Sequence, residues 1–298
     1  MLPTLRQLQY LKLLAEHGSF SRAAEAAHVT QPTLSAGVQE LERILGAPVV
    51  DRARAGVILT PIGEEAVGRA RDILARAEDL VQAAKSAGRP LCGRFRLGVI
   101  PTIAPFLLPR ALPTVRARFP QLRLFLREDQ TQKLIAALKS GTLDAALIAL
   151  PYDTQGLETA TVCDDELLAA LPANHPLLAA DPIPPERMAG DDLILLEDGH
   201  CLRDHALAAC RLEPPKAGDE GVFTATSLPT LVQMVASGLG VSFLPAMAVR
   251  AGLAAEAPIG IRHLATDQAS RQIVIAWRGG SSRGVEARLL AETLRTLD

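Results

Sequence analysis

Cys201 and Cys210 are the residues whose type, spacing and surroundings point most directly to chemistry. They lie in Leu193-Ile194-Leu195-Leu196-Glu197-Asp198-Gly199-His200-Cys201-Leu202-Arg203-Asp204-His205-Ala206-Leu207-Ala208-Ala209-Cys210, which reads as strand, turn and helix. Cys201 falls at or near the helix start, where unpaired N–H groups and the positive end of the macrodipole favour a thiolate and lower its pKa. His200 beside it, and Arg203, could donate hydrogen bonds to a leaving oxygen. Taken alone, the pair is equally well read as two buried small hydrophobes, the commonest fate of free cysteine. A thiol enzyme is a third reading, but no Ser/His/Asp set or phosphate-cradling glycine loop accompanies it. A metal set of His200, Cys201, His205 and Cys210 matches no standard zinc spacing, so no metal and no cofactor is expected. Cys92 and Cys163 are most simply packing residues.

These residues need a scaffold, and the pattern beyond Leu91 supplies an α/β one. Apolar runs Phe95 to Ile100, Leu143 to Leu150, Leu193 to Leu196 and Ile273 to Trp277 read as buried strands separated by helices. Two strand ends carry hydroxyls toward a following helix: Val99-Ile100-Pro101 before Thr102, and Phe223-Thr224-Ala225-Thr226-Ser227 before Leu228 to Ala236. Free N–H groups at such corners favour polar or anionic ligands.

The first 60 residues are built differently. From Thr4 to about Leu45 the apolar and alanine spacing predicts three short helices. Val49, Val50, Val57, Ile58 and Leu59, broken at Arg52-Ala53-Arg54-Ala55-Gly56, predict two short strands and a tip. Within the helices, Ala23, Ala24 and Ala27 permit a close crossing and Val29 fills the turn. Thr30 caps the next helix, and Leu34, Val38 and Leu41 bury its i, i+4, i+7 face. The opposite face presents Gln31, Pro32, Thr33, Ser35 and Gln39 for base edges and phosphates in a major groove. Arg22, Arg52 and Arg54 are placed to neutralise flanking phosphates. Thr60 and Pro61 then start a long helix to about Ser86. Along it Ile62, Ala66, Ala70, Ile73, Ala77, Leu80 and Ala84 recur in steps of four and three, the seam that paired helices need. Gly88-Arg89-Pro90 marks a hinge.

Bulk properties limit the classes. A chain of 298 residues with 48% hydrophobic and 21% charged residues has the composition of a soluble protein of about two or three domains. Its formal net charge of -2 excludes a DNA-coating protein, so any DNA contact is local. No apolar run approaches the roughly 20 residues that span a bilayer, and Met1 to Gly18 lacks a signal-peptide core. A cytoplasmic location without membrane contact is expected, and a stand-alone periplasmic binding protein is not.

The run Leu5 to Gly63, with Phe20 to Ser35, Leu41-Glu42-Arg43-Ile44-Leu45-Gly46 and Leu59-Thr60-Pro61-Ile62-Gly63, resembles the head of LysR-type transcriptional regulators. Leu196 to Asp204, Cys210, Ala225-Thr226-Ser227-Leu228, Ile100-Pro101-Thr102, Gln130-Thr131 and Ser140-Gly141-Thr142-Leu143-Asp144 extend the likeness over essentially the whole chain, to the hydrogen-peroxide-sensing branch of that family. The resemblance implies an α/β protein: a winged helix-turn-helix over 1–60, a linker helix over 61–88, and a two-lobed sensor resembling periplasmic binding proteins over 91–298. Lobe I would hold about 91–163 and 268–298, and lobe II about 164–267. It implies a regulator, not an enzyme, that binds double-stranded promoter DNA as a homodimer or homotetramer and works with RNA polymerase.

By the same resemblance, peroxide oxidises Cys201 to a sulfenic acid, and Cys210 resolves it as a disulfide. Thr102, Thr131, Gly199 and His200 would line the peroxide pocket. Nine positions on an intact helix span roughly 13.5 Å, whereas bonded cysteines have α-carbons roughly 4.4 to 6.8 Å apart. Such a bond would therefore force the helix to unwind. A LysR regulator that binds a small metabolite between its lobes, with incidental cysteines, is the alternative. Departures from the branch lie at the less basic tip Arg52 to Val57 and in Arg211 to Gly221, including Pro214-Pro215.

Overall fold

The computed structural model describes residues 1–51, 57–86, 90–188, 192–209, 211 and 223–297. The chain separates into two compact units, one of Met1–Gly88 with Lys139–Thr142 and the other of Arg89–Leu138 with Leu143–Asp298.

In the first unit, Thr4 opens helix α1 (Leu5–His17) through a reciprocal cap, its hydroxyl accepting from the Gln7 amide and its own amide donating to the Gln7 side chain. Helices α2 (Phe20–Ala26) and α3 (Gln31–Leu45) follow, and Thr30 caps α3 by accepting from the Thr33 amide. Leu34, Val38 and Leu41 are fully buried along one face of α3, each contributing about 1.5–3 kcal/mol by leaving water. Ala23 and Ala24 are buried as the close crossing requires, while Ala27 and Val29 are half-buried. Gly37 is needed where the Tyr10 ring crosses α3, because a Cβ there would lie 2.5 Å from a ring carbon.

Strands β1 (Val50–Asp51) and β2 (Ile58–Leu59) pair antiparallel, Val50 opposite Leu59. The expected tip, with Arg52 and Arg54, lies outside the described residues. Helix α4 (Pro61–Ser86) starts where the Thr60 hydroxyl accepts from the Gly63 amide. Its seam divides: Ala70 is buried against the head, while Ile62, Ile73 and Leu80 stay largely exposed.

The second unit opens with β3 (Gly93–Val99), α5 (Ala104–Arg118), β4 (Leu122–Glu128), α6 (Thr131–Lys139) and β5 (Ala145–Leu150). Then come β6 (Leu157–Pro172), α7 (Pro185–Met188), β7 (Leu195–Leu196) and α8 (Cys201–Ala209). The remainder is β8 (Thr224–Ala225), α9 (Leu228–Ala236), β9 (Ser242–Pro245), α10 (Ala246–Arg250), β10 (Ile259–Arg262), β11 (Ser270–Arg278) and α11 (Gly284–Arg295). Strand β3 pairs parallel with β4 and β5, and β11 lies antiparallel between β5 and β6.

Strand β6 serves both lobes. Residues 157–166 pair with β11, and 167–172 pair with β9 and β10. A short parallel pair, β7 with β8, completes the second lobe. The predicted strands are present with shifted ends, whereas β4 and the long β6 were not anticipated. Strand β4 is the sheet edge, with Phe125 and Leu126 exposed. Strand β6 carries Asp164-Asp165-Glu166 in its middle, where it changes lobes, and so lacks a continuous apolar run.

Candidate functional site

Cys201 is the first residue of α8, as its spacing predicts, and carries a free thiol that is only 3% exposed. Burial decides its ionisation. Loss of solvent pushes the thiol up from its ordinary value, against the opposing pull of the Arg271 guanidinium, the Thr131 hydroxyl and the backbone amide of Cys201 itself. The expectation of a lowered pKa from the helix start is therefore corrected. Free amides at a helix terminus favour a thiolate, but here removal from water outweighs them.

The corner after β3 supplies Thr102 and the first residue of α6 supplies Thr131; both are buried, 3% and 1% exposed. The Thr102 hydroxyl accepts from Arg271 Nη1 at 2.8 Å and its carbonyl from Nη2 at 3.0 Å. Among the described residues the Thr131 hydroxyl makes no hydrogen bond of normal geometry, yet it lies close enough to draw the Cys201 thiol down. His200, half-buried just before α8, is held low by burial, with Glu197 opposing. Gly199 has φ +91°, a left-handed conformation that glycine adopts freely. Arg203 is engaged by the Asp198 carboxylate rather than by the thiol. Cys210 lies outside the described residues.

Four further groups border this site; sequence reasoning weighed His205 only as a metal ligand and did not assign Arg271, Asp165 or Tyr152 there. Arg271, in β11, and Asp165, in β6, form an ion pair at 2.9 Å with both side chains fully buried. Two guanidinium nitrogens donate to Asp165 Oδ2, while Asp165 Oδ1 accepts from the Met247 amide at 2.8 Å. The pair joins the two strands that run between the lobes and ties Thr102 to them. No local signal marks a buried arginine in Ser270-Arg271-Gln272. His205, one helical turn after Cys201, is buried, with Nε2 facing the Pro151 carbonyl at 3.3 Å. A carbonyl needs a donor, so Nε2 carries the proton and Nδ1 is a buried acceptor without a partner among the described residues. Burial lowers the His205 pKa. Burial likewise raises that of Tyr152, assisted by Cys201 and Asp204.

In the head, Gln31, Pro32, Thr33 and Gln39 are exposed on α3 and Ser35 is half-buried. Ser21 Oγ donates to Gln31 Oε1 at 3.1 Å, so α2 orients the first of these side chains. Arg22 is exposed on α2. This is a short polar face on a helix held rigidly by its buried side, the arrangement that enters a major groove.

Family models agree with both halves. The bacterial regulatory helix-turn-helix protein model of the lysR family matches residues 5–64, and the LysR substrate binding domain matches 88–298. The chain belongs to the LysR family. Among LysR relatives, the HTH-type transcriptional regulator EstR of Acinetobacter baylyi is 44% identical over 248 residues, 83% of this chain and 81% of EstR. The DNA-binding transcriptional dual regulator OxyR of Escherichia coli is 37% identical over 291 residues, 98% of this chain and 94% of that protein. A full-length OxyR variant from Pseudomonas aeruginosa, with one cysteine replaced by aspartate, superposes with a TM-score of 0.77 at 36% identity. That match covers 99% of this chain and 98% of the variant.

Proposed function

We propose that this LysR regulator binds promoter DNA and senses hydrogen peroxide through oxidation of Cys201 and a reversible Cys201–Cys210 disulfide, controlling oxidative-stress genes. The observation that carries the reading is the convergence of a free thiol, two threonine hydroxyls and a guanidinium in one buried place. The full-length likeness to proteins named OxyR supports it.

In this mechanism Cys201 first loses its proton. The sulfur attacks one peroxide oxygen, the O–O bond breaks as S–O forms, and the departing hydroxide takes up a proton to leave as water. Thr102, Thr131, Gly199 and His200 hold the small oxidant. The Cys210 thiolate then attacks the Cys201 sulfur, forming S–S and releasing the oxygen as a second water. Nine positions on a continuous helix would span roughly 13.5 Å, too far for a disulfide, so in this mechanism the segment from Cys201 to Cys210 refolds, with α8 unwinding, before the sulfurs meet. Refolding around residues 200–210 alters how sensor domains pair and so the spacing of the DNA heads.

Gln31, Pro32, Thr33 and Ser35 read bases, while Arg22, Arg52 and Arg54 hold phosphates. The exposed stripe Ile62, Ile73 and Leu80 along α4 suits pairing of two chains, in a homodimer or homotetramer that works with RNA polymerase in the cytoplasm. Among the described residues no helix is long and apolar enough to cross a membrane. The domains divide as 1–60, 61–88 and 91–298.

A second reading on the same fold is a metabolite held between the lobes, with incidental cysteines; the 44% identical EstR is named as a transcriptional regulator, and that name fits either reading. Footprinting on promoter DNA separates the two. Peroxide should change the footprint of the wild-type chain and leave that of Cys201→Ser unaltered. An identical footprint before and after oxidation, with a shift on adding a metabolite, would overturn the redox reading.

A further inference from the structure

We propose that Gln130 is a size gate over the Cys201 site, passing hydrogen peroxide and holding back organic hydroperoxides. The inference rests on the peroxide reading above and adds the residue that sets its selectivity.

The reacting thiol and its neighbours are closed from solvent: Cys201 and Thr102 are each 3% exposed, Thr131 and Arg271 each 1%. An oxidant can reach them only by displacing something. Among the described residues, the segments that immediately precede these buried ones reach the surface: Glu197-Asp198-Gly199 are exposed and His200 half-buried before Cys201, and Gln130 is half-buried before Thr131. Gln130 closes the seam between them. Its amide lies flat on Gly199, where a Cβ would sit 2.9 Å from each of Cδ, Nε2 and Oε1. Its Nε2 also donates to the Asp198 carbonyl at 3.3 Å.

The loop is held from the other side as well, since the Asp198 carboxylate is engaged by Arg203 of α8. On the α6 side the Gln130 backbone is fixed, its amide accepted by Asp129 Oδ1 at 3.0 Å and its carbonyl accepting from the Leu134 amide at 3.0 Å. Within this bridge the half-buried Gln130 side chain can change rotamer while its own backbone bonds stay intact. A small rotamer change passes a molecule of two oxygen atoms. A branched alkyl hydroperoxide needs the whole amide displaced, with loss of its contact to Gly199 and its bond to Asp198.

The test compares oxidation rates of the reduced full-length chain by hydrogen peroxide and by tert-butyl hydroperoxide, read as loss of free thiol. Both oxidants meet the same folded thiol, so their rate ratio cancels any general change in stability. Gln130→Ala should shift the ratio toward the bulky oxidant by about tenfold, the discrimination that a few atoms of pocket wall provide. Gln130→Met keeps the bulk over Gly199 without the amide and should retain the wild-type ratio. An unchanged ratio in Gln130→Ala, equal slowing of both oxidants, or equal opening by both substitutions would overturn the gate. A wild-type Cys201 unreactive toward hydrogen peroxide would instead remove the peroxide reading on which the gate rests.

Discussion

Replacing Arg271 by alanine removes a guanidinium that donates to Asp165 twice and to the hydroxyl and carbonyl of Thr102, at distances of 2.8 to 3.1 Å. Asp165 is left fully buried, with the Met247 amide as its remaining donor among the described residues. A buried ion pair deprived of one partner costs roughly 3–5 kcal/mol, chiefly because the surviving charge stays desolvated. For a domain of this size that corresponds to a fall in Tm on the order of 10 °C. Chemical and thermal unfolding of the reduced protein measure it. The reasoning also fixes the sign of a second variant: Arg271→Met combined with Asp165→Leu removes both charges and should be less destabilised than either single change. Removing Arg271 further takes away the cation that opposes burial at Cys201, so the pH profile of thiol oxidation moves to higher pH. A loss below about 1 kcal/mol, or a double variant destabilised by the sum of the singles, would refute this account of the pair.

Because burial holds the Cys201 thiol up, its rate with peroxide should keep climbing between pH 7 and 9; a plateau below neutrality would mean a thiolate is already formed. His205 has a depressed pKa in the folded chain, so its stabilisation is full above its ordinary value near about 6.5 and is lost as pH falls through the folded value. Lowering the pH from neutrality should destabilise the wild-type sensor more than His205→Gln, and equal slopes in unfolding titrations would contradict the assignment. His263 works in the opposite sense, its hydrogen bond to Glu166 favouring the charged form, and it is unchanged in that comparison. In the head, Leu34→Ala should cost about 2–5 kcal/mol of stability. Gln31→Ala and Thr33→Ala should weaken specific DNA binding at unchanged Tm, as fluorescence anisotropy and melting together would show.

The head was legible because each of its steps is local. Thr30 caps, Leu34, Val38 and Leu41 repeat at helical spacing, and Ala23 and Ala24 are small where helices cross. In the sensor, β5 announced itself because pairing on both edges buries almost all of Ala145–Leu150. Strand β6 was hidden by Asp164-Asp165-Glu166, whose charge serves the passage between lobes. Strand β4 was hidden because, at the sheet edge, its core-facing Leu122 and Leu124 are only partly buried and Phe125 and Leu126 are exposed, so it carries no buried apolar run. The position of Cys201 at the start of α8 followed from the turn before it, but the direction of its pKa did not. Burial of the thiol comes from elements far away in sequence, Thr102, Thr131 and Arg271 among them. The Asp165–Arg271 pair spans a separation of 106 residues, and nothing in either neighbourhood signals it. His205 drew notice only as a poor metal ligand, since its unpartnered Nδ1 exists only once α8 packs beside Pro151.

The most direct test of the central claim is peptide mass mapping of the reduced, full-length protein before and after brief exposure to a near-stoichiometric amount of hydrogen peroxide. The account predicts loss of two free thiols and a Cys201–Cys210 disulfide peptide, absent in Cys201→Ser and reversed by dithiol reductant. Thiols that remain free, or a disulfide that forms without Cys201, would contradict it.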